Sequence, residues 1–382
     1  MRRICVVTTS RADYGIYRPV LHEISHHPEF ELRLLVTGSH LSPRFGMTVD
    51  EIDADGYDTS GRVEWSLSAD TPEEIVKATG QAMIGFADYY SESRPDLLLV
   101  LGDRYEMHAA VTAAAPFLIP VAHLHGGELT QGAIDDALRH SITKMSHLHF
   151  AATEVYAHRI AQMGEEAWRI TVSGAPSLDN LKTFTPLEEA ELSERVGLDV
   201  SAPFLLATYH PVTLENENAE AKFEQMLAAL TGLNLPVVFT FPNMDAGSSK
   251  IISRLEAYAA QSNRARVFSS LGSRAYFSLM KRAAALVGNS SSGIIEAASF
   301  RLPVVNIGNR QAGRLRPANV IDAGESREEI EAGLARALDD EFRKSLADLQ
   351  NPYGDGHAAE RIVNKLQSVE LSQRLLKKHF QE

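Results

Sequence analysis

Short aliphatic runs alternate with segments of helical spacing along the chain, and that alternation limits the fold more than any other feature. In the first half the runs are residues 4–9, 32–37, 97–101, 119–123 and 148–152, the first four followed by a Gly- or Ser-bearing turn. Strands that alternate with helices form right-handed βαβ units and a mainly parallel, doubly wound sheet. The series restarts with residues 204–208, 237–241, 284–287 and 304–307. The expected fold class is therefore α/β, with two Rossmann-like, doubly wound domains in tandem.

A chain of 382 residues exceeds the usual single core, in keeping with two domains. Polar residues, Pro186 and an acidic helix over 187–195 mark the joint within 177–202. The expected layout is residues 1–180, residues 181–355, and a last amphipathic helix over 356–382 that follows Pro352-Tyr353-Gly354-Asp355-Gly356. No stretch reaches the roughly 20 apolar residues that cross a bilayer, and Thr8-Thr9-Ser10 ends the first run too early for a secretory signal, so a cytoplasmic protein with no membrane partner is expected. The single cysteine, Cys5, lies in an apolar run and reads as a buried structural thiol. A formal net charge of -13 argues against nucleic acid as a partner. An anionic substrate would need a local pocket of arginines or backbone amides.

Doubly wound sheets bind ligands at the carboxyl ends of their strands, and the polar segments of interest fall there. Thr8-Thr9-Ser10-Arg11-Ala12-Asp13 puts hydroxyls, an arginine and a helix start after the first strand. It fits an anion held by Arg11, and equally a helix capped by Ser10 or Asp13. Gly102-Asp103-Arg104-Tyr105-Glu106 follows a wholly apolar strand. Asp103 sits where a general acid or base belongs, or it caps a helix over 107–115. In His123-Leu124-His125-Gly126-Gly127-Glu128, followed by Asp135, a Gly-Gly pair would let backbone approach a ligand while His125, Glu128 and Asp135 move protons. The same residue types could ligate a metal, but the helical spacing of a zinc site is missing, so acid/base use is preferred and no metal is expected.

In the second half, Pro211 holds His210 extended at a strand tip, as an acid, a phosphate ligand or a structural histidine. Gly288-Asn289-Ser290-Ser291-Ser292-Gly293 opens a helix after a strand and offers amide and hydroxyl donors to a diphosphate, with Glu296 one turn on for a ribose. A solvated Ser-rich turn is the alternative. No Gly-Lys-Thr or Gly-Lys-Ser follows, which argues against magnesium-dependent NTP hydrolysis. Arg310 and Arg314 add positive charge near the serine loop, or are solvated.

Six of these pieces, in this order, resemble the hydrolysing UDP-N-acetylglucosamine 2-epimerases of bacterial sialic and legionaminic acid synthesis. They are Thr9-Ser10-Arg11-Ala12-Asp13-Tyr14-Gly15, Gly102-Asp103-Arg104-Tyr105-Glu106, His125-Gly126-Gly127-Glu128, Arg139-His140-Ser141-Ile142-Thr143-Lys144, Gly288-Asn289-Ser290-Ser291-Ser292-Gly293 and Gly308-Asn309-Arg310-Gln311-Ala312-Gly313-Arg314.

The resemblance implies a GT-B fold with a cleft between the domains and a C-terminal helix that crosses back to the first. It implies a UDP-sugar substrate, no cofactor, and a homodimer or homotetramer. UDP would rest on the second domain, with Ser290, Ser291, Ser292 and Gly293 at the diphosphate, Glu296 at the ribose and Arg314 nearby. The sugar would face Asp103, His125, Glu128, Asp135 and His210. Anti elimination of UDP across C1 and C2, then syn addition of water, would convert UDP-N-acetylglucosamine to N-acetylmannosamine and UDP. Asp103 and Asp135 would transfer protons at C1 and C2, and Arg11 and His210 would serve the departing diphosphate. Several relatives carry Glu where this chain has His125, so that role would pass to His125 or Glu128. The alternatives are the same reaction on a UDP- or GDP-linked 2,4-diacetamido-2,4,6-trideoxy sugar, a non-hydrolysing epimerase, a GT-B glycosyltransferase, and a regulator that binds nucleotide-sugar. The segment over 38–46 is expected to border the sugar.

Overall fold

A computed structural model describes residues 1–43, 46–65, 71–130, 134–212, 218–242 and 247–381. Part of the 38–46 segment, Arg44 and Phe45, thus lies outside the described residues, as does Thr213 beyond the His210 strand tip. Contacts divide the chain into two compact units. The first comprises Met1–Glu128, Asp135–Lys182 and Tyr353–Glu382, and the second Leu129–Ile134 and Thr183–Pro352.

The first unit is built on β1 (Arg2–Thr8), β2 (Phe30–Thr37), β3 (Thr59–Val63), β4 (Leu97–Leu101), β5 (Val121–Leu124), β6 (Leu148–Ala151) and β7 (Ile170–Val172). Among the described residues the strands run parallel in the order β3-β2-β1-β4-β5-β6-β7. The order reverses beside β1, so the loops after β1 and β4 diverge to opposite faces of the sheet, the usual place for a ligand. Every residue of β4 and β5 is buried, as helices on both faces require.

The second unit has β8 (Leu205–Thr208), β9 (Val237–Thr240), β10 (Ala265–Phe268), β11 (Ala285–Gly288), β12 (Val304–Ile307) and β13 (Val320–Ala323). Its order is β10-β9-β8-β11-β12-β13, again parallel, with the reversal between β8 and β11. His210 and the serine loop follow the two strands at that reversal.

The C-terminal stretch is not the single long helix expected from its amphipathic spacing. One helix spans Ala358–Ser368 and a short one Gln373–Leu376. Asp179 starts the first by accepting the Ala358 and Ala359 N–H groups at 2.9 and 2.7 Å. Arg2 ends it by donating to the carbonyls of Leu366 and Val369, which drains the helix of its last acceptors. Beyond the break, Arg169 takes the carbonyls of Arg374, Leu375 and Lys377.

Candidate active site

At the tip of β4 the chain turns through Gly102, whose φ of +77° suits glycine, and presents Asp103. Asp103 is not the N-cap of the following helix. Arg104 occupies the N-cap of Tyr105–Ala114 and makes no side-chain cap bond. Asp103 instead pairs with Arg139, a guanidinium only 4% exposed on the helix Asp135–Met145. Arg139 also donates to the His125 carbonyl at 2.8 Å and stands 3.9 Å from Glu128 Oε2. One cation therefore ties together the β4 tip, the β5 turn and a buried carboxylate, where an isolated charge would be costly. Arg139 appears in a quoted motif, yet its spacing gave no sign of this work.

The β5 turn is strained at His125, which holds φ +61°. Its Nδ1 lies 2.6 Å from Glu128 Oε1, and both side chains are buried. Nε2 has no partner among the described residues. A carboxylate on one ring nitrogen fixes the tautomer and leaves the other nitrogen for a proton. The Gly-Gly pair has a different purpose from the ligand approach expected of it. A Cβ on Gly127 would lie 2.5 Å from the Tyr156 carbonyl, and one on Gly126 3.0 Å from His123 Nδ1, so both glycines let the turn pack on the protein itself.

His123 is fully buried, and burial pushes its imidazole down to about 3. It stands 2.8 Å from the Gly102 carbonyl and 3.2 Å from Thr143 Oγ1, a core role beside the Asp103 turn. Asp135 is the first residue of its helix, half-exposed, one turn before Arg139 and on the same face. No group of three or more metal-ligating side chains occurs among the described residues.

After β1, Ser10 and Asp13 form a reciprocal capping box on the helix Arg11–His26. Asp13 also accepts from Thr9 N and Tyr14 N, each at 2.8 Å, and its carboxylate is committed to shaping the loop. Arg11 opens the helix half-exposed, and partial burial lowers its guanidinium below the usual range.

In the second unit His210 is buried, and desolvation, then the charge of Arg310, holds its imidazole well below the usual range. Ser290 caps the helix Ser291–Ile295 and accepts from Ser292 N at 3.4 Å. All three serines are partly exposed. The Gly293 N–H donates to the Ser290 carbonyl, and a Cβ there would meet Val304 Cγ1 at 2.9 Å, so the glycine packs the helix on the sheet. Glu296 sits at the end of that one-turn helix, not within it, and is buried. Arg310 donates to the Asn289 carbonyl at 3.0 Å, next to the serines, whereas Arg314 Nε donates to the Leu129 carbonyl at 3.2 Å. Tyr276, which no motif had marked, lies close to Ser292, Thr208 and Glu296, and burial pushes its hydroxyl up to about 12.

The family model described as UDP-N-acetylglucosamine 2-epimerase matches residues 22–367. The chain belongs to that family. It is 40% identical over 324 residues to the GDP/UDP-N,N'-diacetylbacillosamine 2-epimerase (hydrolyzing) of Campylobacter jejuni, across 84% of each chain. It is 37% identical over 378 residues to the UDP-N,N'-diacetylbacillosamine 2-epimerase (hydrolyzing) of Legionella pneumophila, across 99% of each. A UDP-N-acetylglucosamine 2-epimerase of Neisseria meningitidis is 33% identical over 321 residues, across 84% of this chain and 83% of its own. Among solved structures, the UDP-GlcNAc 2-epimerase from Neisseria meningitidis bound to UDP-GlcNAc superposes with a TM-score of 0.83 at 19% identity, across 96% of this chain and 100% of that one. At that identity the likeness establishes the fold, two Rossmann-like domains of the GT-B type, as the alternation of strands and helices had indicated.

Proposed function

We propose that this family member is a hydrolysing nucleotide-sugar 2-epimerase whose substrate is UDP-N,N'-diacetylbacillosamine, a 2,4-diacetamido-2,4,6-trideoxyglucose donor. The observation that carries the reading is the buried Asp103–Arg139–His125–Glu128 cluster at the carboxyl ends of β4 and β5. Two carboxylates and an imidazole held by one guanidinium make a proton-transfer centre, and the C2 proton of a hexose requires one. The choice of sugar rests on the 40% and 37% identical relatives, whose names give that substrate.

In the reaction, a carboxylate removes the C2 proton while the C1–O bond to the diphosphate breaks, leaving a C1=C2 double bond and free UDP. Water then adds its oxygen at C1, and a proton returns to C2 on the same face as that oxygen, opposite to the face from which the C2 proton left. Of Asp103 and Asp135, one takes up or returns the C2 proton and the other accepts the proton lost by the water that adds at C1, and His125, oriented by Glu128, assists hydration. Ser290, Ser291 and Ser292 bind the diphosphate, Glu296 the ribose, Arg11 and Arg314 offset the charge that grows on the leaving group, and the neutral His210 ring donates a hydrogen bond to it.

A second reading keeps this chemistry but takes UDP-N-acetylglucosamine, as the name of the 33% identical relative favours. The test is to incubate the purified protein in D2O with either UDP-sugar, or with GDP-N,N'-diacetylbacillosamine, and to follow products by chromatography and NMR. Free 2-epimer with deuterium at C2, plus nucleoside diphosphate, supports hydrolytic epimerisation, and the preferred donor decides the sugar. Intact nucleotide-sugar of inverted C2 configuration, or no product from any donor, defeats it.

A further inference from the structure

Where β8 and β11 end side by side, Gly288 takes φ +132° and a Cβ on it would stand 1.8 Å from the Thr208 carbonyl. The two strand ends are thus pressed together by a residue that only glycine can be. Asn289 comes next, and it is 1% exposed. Its side-chain amide completes a reciprocal pair with the backbone of His210. The His210 N–H donates to Asn289 Oδ1 at 2.7 Å, and Asn289 Nδ2 donates to the His210 carbonyl at 2.8 Å. The Asn289 main chain is held as firmly: its N–H donates to the Thr208 carbonyl at 3.2 Å, and its carbonyl accepts from Gln311 Nε2 at 2.8 Å and Arg310 Nη1 at 3.0 Å.

Main-chain groups just past a strand end have lost their ladder partners, and His210 precedes a proline that donates no bond of its own. Asn is suited to replace both partners at once, because it carries a donor and an acceptor side by side. Asp cannot, since an ionised carboxylate has no donor for the His210 carbonyl. The residue after Asn289 is Ser290, the start of the serine loop. A single rigid residue therefore sets the position of His210 against that loop.

We propose that Asn289 is a positioning residue, which locks the His210 main chain so that its imidazole keeps one fixed placement relative to the serine loop. This rests on the preceding reading, in which His210 and the serines serve the same diphosphate. The role is one of orientation, and it makes itself felt in the transition state more than in binding.

The full-length Asn289→Ala and Asn289→Asp variants test it with the UDP-sugar that the wild type turns over. kcat is expected to fall at least tenfold in both, with KM and the Kd for UDP from calorimetry within about threefold of wild type. Equal losses in Ala and Asp identify the donated bond to the His210 carbonyl as essential. kcat within twofold of wild type in both variants overturns the proposal, as does a loss confined to KM. Should neither variant accumulate in folded form, Gln311→Leu loosens the Asn289 carbonyl without touching His210, and is expected to lower kcat about threefold at unchanged KM; no change there also overturns it. Amide hydrogen exchange separates this proposal from the reading beneath it. In Asn289→Ala, the His210 amide should lose protection while those of Leu206 and Ala207 keep theirs, whether or not any donor is turned over, and retained protection at His210 refutes the lock.

Discussion

His149 and Glu165 meet with both side chains wholly shielded from water, Nε2 to Oε2 at 2.9 Å. Lys144 and Lys378 complete the surroundings of the carboxylate at 2.6 and 2.7 Å, so a residue four from the C-terminus is fastened to the end of the β6 layer. Burial alone would raise the Glu165 carboxyl, but the bonds from His149, Lys144 and Lys378 outweigh it and hold the group down to about 2. Burial likewise lowers His149.

Acid should therefore unfold this unit in a defined window. A glutamate in the unfolded chain titrates near about 4.3, so the contribution of Glu165 is complete above that pH and is lost as pH falls toward about 2. His149 acts with the same sign, since its folded form prefers the neutral ring and loses stability as pH drops below about 6.5. Glu165→Gln is expected to cost about 3 kcal/mol at pH 7, because Lys378 stays partly buried without its counter-charge, and to flatten the fall in Tm between pH 5 and 3. Calorimetry across that range reads both; a mutant curve parallel to wild type would dismiss the carboxylate as the acid-sensitive group.

How much of this was legible in the sequence follows a physical line. The central strands were all read from their apolar runs, and those missed were β3, β7, β10 and β13, which are the four sheet edges. Central strands are buried on both faces and spell continuous aliphatic runs, whereas an edge such as β3, Thr-Ser-Gly-Arg-Val, is mostly half-exposed and carries no such run. The site divides in the same way. Asp103, His125 and Glu128 stand out as polar residues at buried strand tips. The clasp on them comes from Arg139, 36 residues from Asp103, through contacts that no spacing rule encodes. Gly126 and Gly127 read toward a ligand because glycine tells of close approach but not of what approaches.

Asp103→Asn should leave UDP binding at the serine loop unchanged, because the substitution is isosteric and that loop belongs to the other compact unit, while the buried Arg139 left without its carboxylate lowers stability. Turnover is expected to fall by about 10³, in the range that loss of one acid/base group produces, with the Kd for UDP within threefold. Steady-state kinetics and calorimetry decide it; undiminished turnover would remove Asp103 from the chemistry.

Arg139→Lys retains the charge but not the fork that reaches the His125 carbonyl and Asp103 together. A loss of about 30-fold in kcat is expected, with a stability cost of about 2 kcal/mol for the carbonyl left without its donor. Chemical denaturation alongside kinetics separates the two effects. If kcat tracks wild type while stability drops, the guanidinium is structural only.

Two glycines of similar appearance should lose very different amounts of stability on substitution by alanine. At Gly102 no heavy atom of the described residues, its chain neighbours apart, lies within 4 Å of a new Cβ, so Gly102→Ala meets only the backbone cost of φ +77°, about 1–2 kcal/mol. At Gly288 the Cβ would overlap the Thr208 carbonyl, and Gly288→Ala is expected to lose more than about 4 kcal/mol or to fail to fold. Comparable Tm values for the pair would contradict the close approach of β8 and β11.

Removal of residues 373–382 should show that the tail is part of the core of its unit. Arg169 is fully buried and donates to three tail carbonyls, those of Arg374, Leu375 and Lys377, at 3.1, 2.8 and 2.8 Å. Deletion strands a guanidinium whose remaining partners are Glu166 and the His147 carbonyl, and takes the Lys378 ammonium from Glu165. The expected cost is about 3–5 kcal/mol, the usual result of breaking a buried charged pair from one side. Losing both sides should hurt less than losing one: Arg169→Met in the truncated chain removes the stranded charge and should regain at least about 1 kcal/mol. Denaturant unfolding of the wild type, the truncated chain, full-length Arg169→Met and the truncated Arg169→Met gives this coupling directly. Strictly additive losses would mean that Arg169 and the tail stabilise the unit independently, against the geometry that joins them.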